Sequence, residues 1–176
     1  MVATYCHLPQ YTHVTLYSRR YYVPINDNMC NEANFGNIAL GKEATLTSTF
    51  DEYSKANQAV DGVWPEADIN HRCAQTSLDW APQLFIDLKQ EHYVDHIVLL
   101  SRGDVEASHD FALSKINIWV DSSYCGYYEG PAEPGTNATI VCDKCLTGKV
   151  VAVSAWDGIR SRYLSVCEVM IIGLKK

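Results

Sequence analysis

The stretch LLSRGDVEASHDFALSKI, from Leu99 to Ile116, holds the residues with the clearest chemical potential in this chain. Arg102 offers a planar, forked guanidinium, and Asp104, just beyond Gly103, offers a carboxylate. The two can close an ion pair on a surface turn, which contributes little to stability. They can also meet a partner as the Arg-Gly-Asp tripeptide that integrins read, if the turn protrudes, and Gly103 permits such a turn. A second motif, Cys142-Asp143-Lys144-Cys145, is a C-x-x-C that could hold zinc or carry redox chemistry. No second pair at zinc spacing accompanies it, and no helix follows to lower a thiolate pKa. One structural disulfide and one spare thiol is therefore its reading. Asn137-Ala138-Thr139, in a Gly- and Pro-rich loop, is a glycosylation sequon. The chain has no G-x-S-x-G, H-E-x-x-H, P-loop or G-x-G-x-x-G motif, so a binding protein is expected rather than an enzyme.

Composition narrows the partners. A chain of 176 residues is long enough for one domain with a single core. Its formal charge of −7, with no basic run longer than Arg19-Arg20 or Lys175-Lys176, lacks the footprint that phosphate backbones demand, so no nucleic acid is expected. No stretch approaches the eighteen or so apolar residues of a membrane span, and Met1 to Thr12 has neither the charged nor the apolar region of a signal peptide. A soluble chain, cytosolic or already trimmed, is the expectation, and no membrane insertion. Seven cysteines favour the second option, a secreted, extracellular chain, because such density suits a compartment that oxidises thiols. The odd count leaves one thiol over.

The elements that must position these groups are strands. From Asn37 onward the apolar residues alternate or form short runs, separated by Gly, Pro, Asn, Asp and Ser. Strands are expected near 44–49, 83–88, 94–101, 115–121, 138–142, 149–154 and 163–172. In KINIWV, Ile116, Ile118 and Val120 fall on one face, with Asn117 and Trp119 on the other. Many short strands at such spacing predict an all-β, antiparallel sandwich or barrel. Residues 1–36 are aromatic, polar and less periodic, and are expected to form an N-terminal extension packed on a domain of residues 37–176, with Cys6 and Cys30 as its staple.

Four stretches belong together: NIALGKEATLTST at 37–49, NQAVDG at 57–62, RCAQTSLDWAPQLFIDL at 72–88 and SRYLSVCEVMIIG at 161–173. In this order they resemble the F-type lectin (fucolectin) family, a branch of the discoidin-like jelly-roll β-sandwiches, over about residues 37 to 173. That family's sugar-binding signature is a His, 26 intervening residues, Arg-x-Asp, then four residues and an Arg or Lys. Counting back from Arg102 lands on Gln75, so the interval is kept while the histidine is not. Arg102-Gly103-Asp104 fills Arg-x-Asp, and His109 stands where the second Arg or Lys is usual. The family's adjacent cysteines, which pack on the sugar, are here Val105-Glu106; Tyr53, Trp64 or Ile69 could supply an apolar platform instead.

The resemblance implies a sugar site of Gln75, Arg102, Asp104 and His109, in which the guanidinium fork meets hydroxyls and the acid fixes its direction. It also implies a calcium site: backbone carbonyls of Gln58, Val63, Arg72 and Cys73 with side-chain oxygens of Asp61 and Glu168. Arg72 replaces a hydroxyl residue there, so either its side chain turns to solvent or the guanidinium takes the ion's place. Implied disulfides are Cys73–Cys167 and Cys125–Cys142. Cys145 is left as a candidate for a bridge between copies in a homo-oligomer. The expected function is a secreted, non-catalytic lectin recognising a glycan on a cell surface or glycoprotein, fucosylated or of altered specificity. The alternative is a discoidin-like protein-interaction module with a decayed sugar site, using the Arg-Gly-Asp loop.

Overall fold

The computed structural model describes residues 35–63, 73–103 and 113–175. The expected N-terminal extension, with its Cys6–Cys30 staple, falls almost wholly outside them, as do Trp64, Ile69, Arg72, Asp104, Val105, Glu106 and His109.

The described chain is an antiparallel β-structure. Its strands are β1 (Gly36–Asn37), β2 (Glu43–Leu46), β3 (Ala74–Gln75), β4 (Gln83–Leu100), β5 (Ile116–Val120), β6 (Ser123–Tyr128), β7 (Asn137–Ala155), β8 (Ser165–Val166) and β9 (Glu168–Lys175). The larger sheet runs β1-β9-β4-β7-β5-β6, with β2 also on β4, and β3 pairs β8 separately.

Two long strands make the sandwich. The first part of β4, Gln83 to Asp87, pairs β7 at Ser154 to Val150; its second part, His92 to Leu100, pairs β7 at Gly148 to Asn137. The ladder slips between Asp87 and His92, where Lys89 takes a φ of 71° and its N–H donates to Asp87 Oδ1 at 2.7 Å. Such an irregularity bends a strand and lets one chain serve two layers. β2 flanks the first part and β9 the second, so the two layers carry different neighbours. Between them lie Leu84, Ile86, Leu88, Ile97 and Leu99 from β4, Val151 and Val153 from β7, and Val169 and Ile171 from β9. Each such side chain contributes roughly 1.5–3 kcal/mol on burial.

The expected face of β5 holds: Ile116, Ile118 and Val120 are buried and Trp119 is exposed. Segment boundaries differ from the sequence expectation. Residues 83–88 and 94–101 are one strand, as are 138–142 and 149–154, because the intervening polar residues bend the ladder without ending it. The segment expected as 163–172 divides into β8 and β9 around Cys167. β6, in SYCGYY, was not anticipated, since Gly126 interrupts its alternation; the absence of a side chain there leaves room for Ile140 and the Val141 carbonyl.

The implied disulfides Cys73–Cys167 and Cys125–Cys142 are both formed, and Cys145 is unpaired among the described residues and half-buried. Burial, with Asp95 nearby, pushes the Cys145 thiol above its usual range, which makes it a poor nucleophile.

The short β3–β8 ladder links the two layers at one end of the sandwich. Cys167 N–H bonds the Leu100 carbonyl at the tail of β4 (2.9 Å), while Asp79 and Arg162 exchange backbone bonds at 3.0 and 2.7 Å beside its head. Head and tail of β4 therefore open onto the same cluster of loops.

Candidate functional site

Arg102 follows β4 directly, and the turn carrying it is clamped. Ser101 is buried; its N–H donates to the Thr136 carbonyl at 3.0 Å and its hydroxyl to the Glu133 carbonyl at 2.7 Å. The Arg102 carbonyl accepts from Gly135 N–H at 2.9 Å. With its main chain fixed on both sides, Arg102 reaches Gln75 with its half-buried side chain: Nη1 donates to Gln75 Oε1 at 2.5 Å.

Gln75 is only 1% exposed. Its N–H donates to the Ser54 carbonyl at 3.3 Å and its own carbonyl accepts from Phe50 N–H at 2.9 Å, so the 50–54 turn brackets it. Two of the four sugar-site residues implied by the sequence are thus in contact, at a separation of 27 positions. Because the amide is covered, it acts on the guanidinium as an acceptor that sets its direction. Asp104 and His109 lie outside the described residues.

The bracketing turn also presents aromatic surface. Phe50 is 47% exposed and Tyr53 57% exposed, and the Phe50 ring meets Tyr163 edge to face at 6.0 Å. Sequence reasoning singled out Tyr53 and missed Phe50. Its signal was a large apolar residue ending TLTSTF immediately before the polar turn Asp51-Glu52.

A second group lies around Glu168, the first residue of β9. It is 1% exposed; Oε2 accepts from Gly62 N–H at 3.2 Å, and Oε1 has no hydrogen-bond partner among the described residues. Burial pushes its carboxyl up to about 7, the Gly62 bond works against that, and the neighbouring Asp61 charge adds to it. Gly62 adopts a φ of +77°, which suits glycine in the turn that aims this N–H. Asp61 itself accepts from Val63 N–H at 2.8 Å. Gln58 closes the preceding 3-10 turn, Ala56–Ala59, its side chain accepting from Lys55 N–H at 2.9 Å. Cys73 is tied to Cys167, one residue before Glu168.

A buried carboxylate with an orphan oxygen costs free energy that a cation would recover. No three His, Cys, Asp or Glu side chains gather as a metal-ligating group among the described residues. The donors at hand are instead two carboxylates in a turn rich in backbone carbonyls, an all-oxygen set that fits a hard cation.

A third network went unnoticed in the sequence. Arg162 is buried, donating from Nη1 to Asp157 Oδ2 at 2.8 Å and from Nη2 to Ser114 Oγ at 2.5 Å. It ties the 156–162 loop to Ser114, two residues before β5.

No protein-family model matches the chain. Fucolectin-6 of the Japanese eel, Anguilla japonica, is 27% identical over 164 residues, covering 89% of this chain and 83% of that protein. The crystal structure of a serum F-lectin (fucolectin) from striped bass, Morone saxatilis, superposes with a TM-score of 0.69 at 23% identity, over 80% of this chain. The match spans only half, 50%, of the bass protein's length. A fucose-binding module of Streptococcus pneumoniae superposes with a TM-score of 0.62 at 26% identity, covering 80% of this chain and 98% of the module.

Proposed function

We propose that the chain is a secreted carbohydrate-binding lectin of the F-type lectin family, within the discoidin-like β-sandwiches, whose sugar site centres on Arg102. The observation that carries this reading is the 2.5 Å bond from Arg102 Nη1 to Gln75 Oε1. A guanidinium anchored through Nη1 and carried on a clamped backbone keeps its plane fixed, and a fixed fork recognises adjacent hydroxyls at little entropic cost. In this role Arg102 grips the sugar and Gln75 is a positioning residue. Phe50 and Tyr53 supply the apolar surface that a pyranose C–H face requires. Asp104 and His109 complete the set by their places in the motif, His109 adding a donor when protonated, below its usual pKa of about 6.5.

Glu168 and Asp61, with the carbonyls of Gln58, Val63 and Cys73, would hold a calcium ion. The ion's chemistry is structural: it would neutralise both acids and pin the 58–63 turn to the start of β9. The ligand class is a cell-surface or glycoprotein glycan, with fucosylated chains first among candidates because the eel, bass and bacterial relatives are named for fucose. Two formed disulfides suit an extracellular setting. The rival use of Arg102-Gly103-Asp104 as an adhesion tripeptide needs a projecting arginine, whereas this guanidinium is engaged with a covered amide.

Retention on a panel of immobilised glycans tests the reading. Arg102→Ala is expected to abolish retention on every surface that holds the parent chain, and Arg102→Lys, which keeps the charge but loses the fork, to reduce it strongly. Equal retention of Arg102→Ala and parent would overturn the assignment.

A further inference from the structure

The sequon Asn137-Ala138-Thr139 opens β7, and the register places it beside the site. Asn137 is opposite Leu100, two residues before Arg102, and Thr139 is opposite Val98. At about 3.4 Å per residue, Asn137 stands roughly 7 Å along the ladder from the position of Arg102. The turn that precedes it is the one clamping Arg102, through the Gly135 and Thr136 bonds. The contact is close enough that a Cβ on Gly135 would sit 3.6 Å from Gly103 Cα. Along β7, Ala138 and Ile140 are buried while Asn137 and Thr139 are exposed, so both working side chains of the sequon face solvent. No hydrogen bond engages the Asn137 amide among the described residues.

We infer that Asn137 carries an N-linked glycan that stands at the rim of the Arg102 turn and screens it, tuning access of external ligands. The modification joins the Asn137 amide nitrogen to the anomeric carbon of a lipid-pyrophosphate-linked oligosaccharide. A C–N bond replaces the C–O bond to pyrophosphate, the lipid pyrophosphate leaves with that electron pair, and the nitrogen gives up one proton. The tuning rests on Arg102 binding sugar; the attachment and the screening do not.

The full chain secreted from a eukaryotic host provides the test. Intact mass should show an added glycan that peptide-N-glycosidase removes and that Asn137→Gln and Thr139→Ala both lack; an unmodified Asn137 overturns the inference. Screening is read without any ligand, as the rate at which phenylglyoxal modifies Arg102, followed by peptide mass. That rate should rise several-fold after deglycosylation and in Asn137→Gln, and an unchanged rate overturns the screening. Retention on fucosylated surfaces should rise in the same variants. If the Arg102 rate rises while no form is retained on any glycan, screening stands and the sugar-binding reading fails.

Discussion

Arg162 and Glu168 sit six positions apart on one segment, both buried, and they are solved in opposite ways. Arg162 has a counter-charge in Asp157 and an acceptor in Ser114, and its backbone is locked to Asp79. Glu168 has one backbone donor, a second acid for a neighbour and an oxygen with no partner among the described residues. The first arrangement pairs its charge within the protein, leaving only Nε without a hydrogen-bond partner among the described residues, and holds loops in place. The second is short of positive charge, which is what the calcium proposed above would supply. Burial alone distinguishes nothing here; the inventory of partners does.

The sharpest way to break that contrast is to titrate it. Glu168 in the unfolded chain loses its proton near 4.5, whereas the folded carboxyl holds it to about 7. Between those values the folded state binds one more proton, so in chelated protein stability should fall as pH rises from 4.5 to 7 and then level off. The loss from this group amounts to up to about 3 kcal/mol. Urea unfolding at intervals across that range measures it. Glu168→Gln should flatten this component and leave the metal-free protein more stable at pH 8 than the parent; a slope that survives the substitution would mean another group is responsible.

Calcium should reverse the penalty. At a hundredfold excess over its dissociation constant, an ion that binds only the folded state adds about 2.7 kcal/mol. Melting temperature should therefore rise with calcium, fall with chelator, and respond to neither in Glu168→Gln. A parent chain whose melt ignores calcium would place the Arg72 guanidinium in the ion's role. Arg162→Met supplies the contrasting case: it should cost about 2 kcal/mol from the Ser114 bond alone, by the same amount with calcium or chelator. Calcium dependence of that loss would merge the two regions into one.

The fold was legible because its information is local. Period-two alternation in KINIWV and in the two parts of β4 names the buried faces, and those faces need only another layer to pack against. Residues Gln75 and Arg102 were legible for a different reason, the fixed interval between them in a family signature; nothing in either neighbourhood alone says that they touch. Arg162 and Phe50 were invisible to both routes. Arg162 gains its meaning from Ser114, 48 positions away, and Phe50 from a backbone bond to Gln75. Neither contact leaves a periodicity or a motif, since each depends on how the β3–β8 ladder brings loops from both layers together. The β4–β7 ladder explains why the strand count was misjudged: bends at Lys89 and near Gly148 resemble breaks in sequence and act as hinges between layers in space.

The smallest expected effect concerns the amide under Arg102. Where the F-type lectin signature has histidine, this chain has a covered glutamine, and its oxygen accepts from the guanidinium. Gln75→Leu keeps the approximate volume and removes that acceptor, so the fork loses its anchor while the clamped backbone of Ser101 and Arg102 stays in place. Affinity for the best glycan of the panel should drop about tenfold, equivalent to about 1.4 kcal/mol, with the fold intact by circular dichroism. Gln75→Glu keeps an acceptor and adds charge, and should restore most of that loss. If leucine and glutamate behave alike, the amide does not orient the arginine, and its burial against the 50–54 turn is a packing feature only.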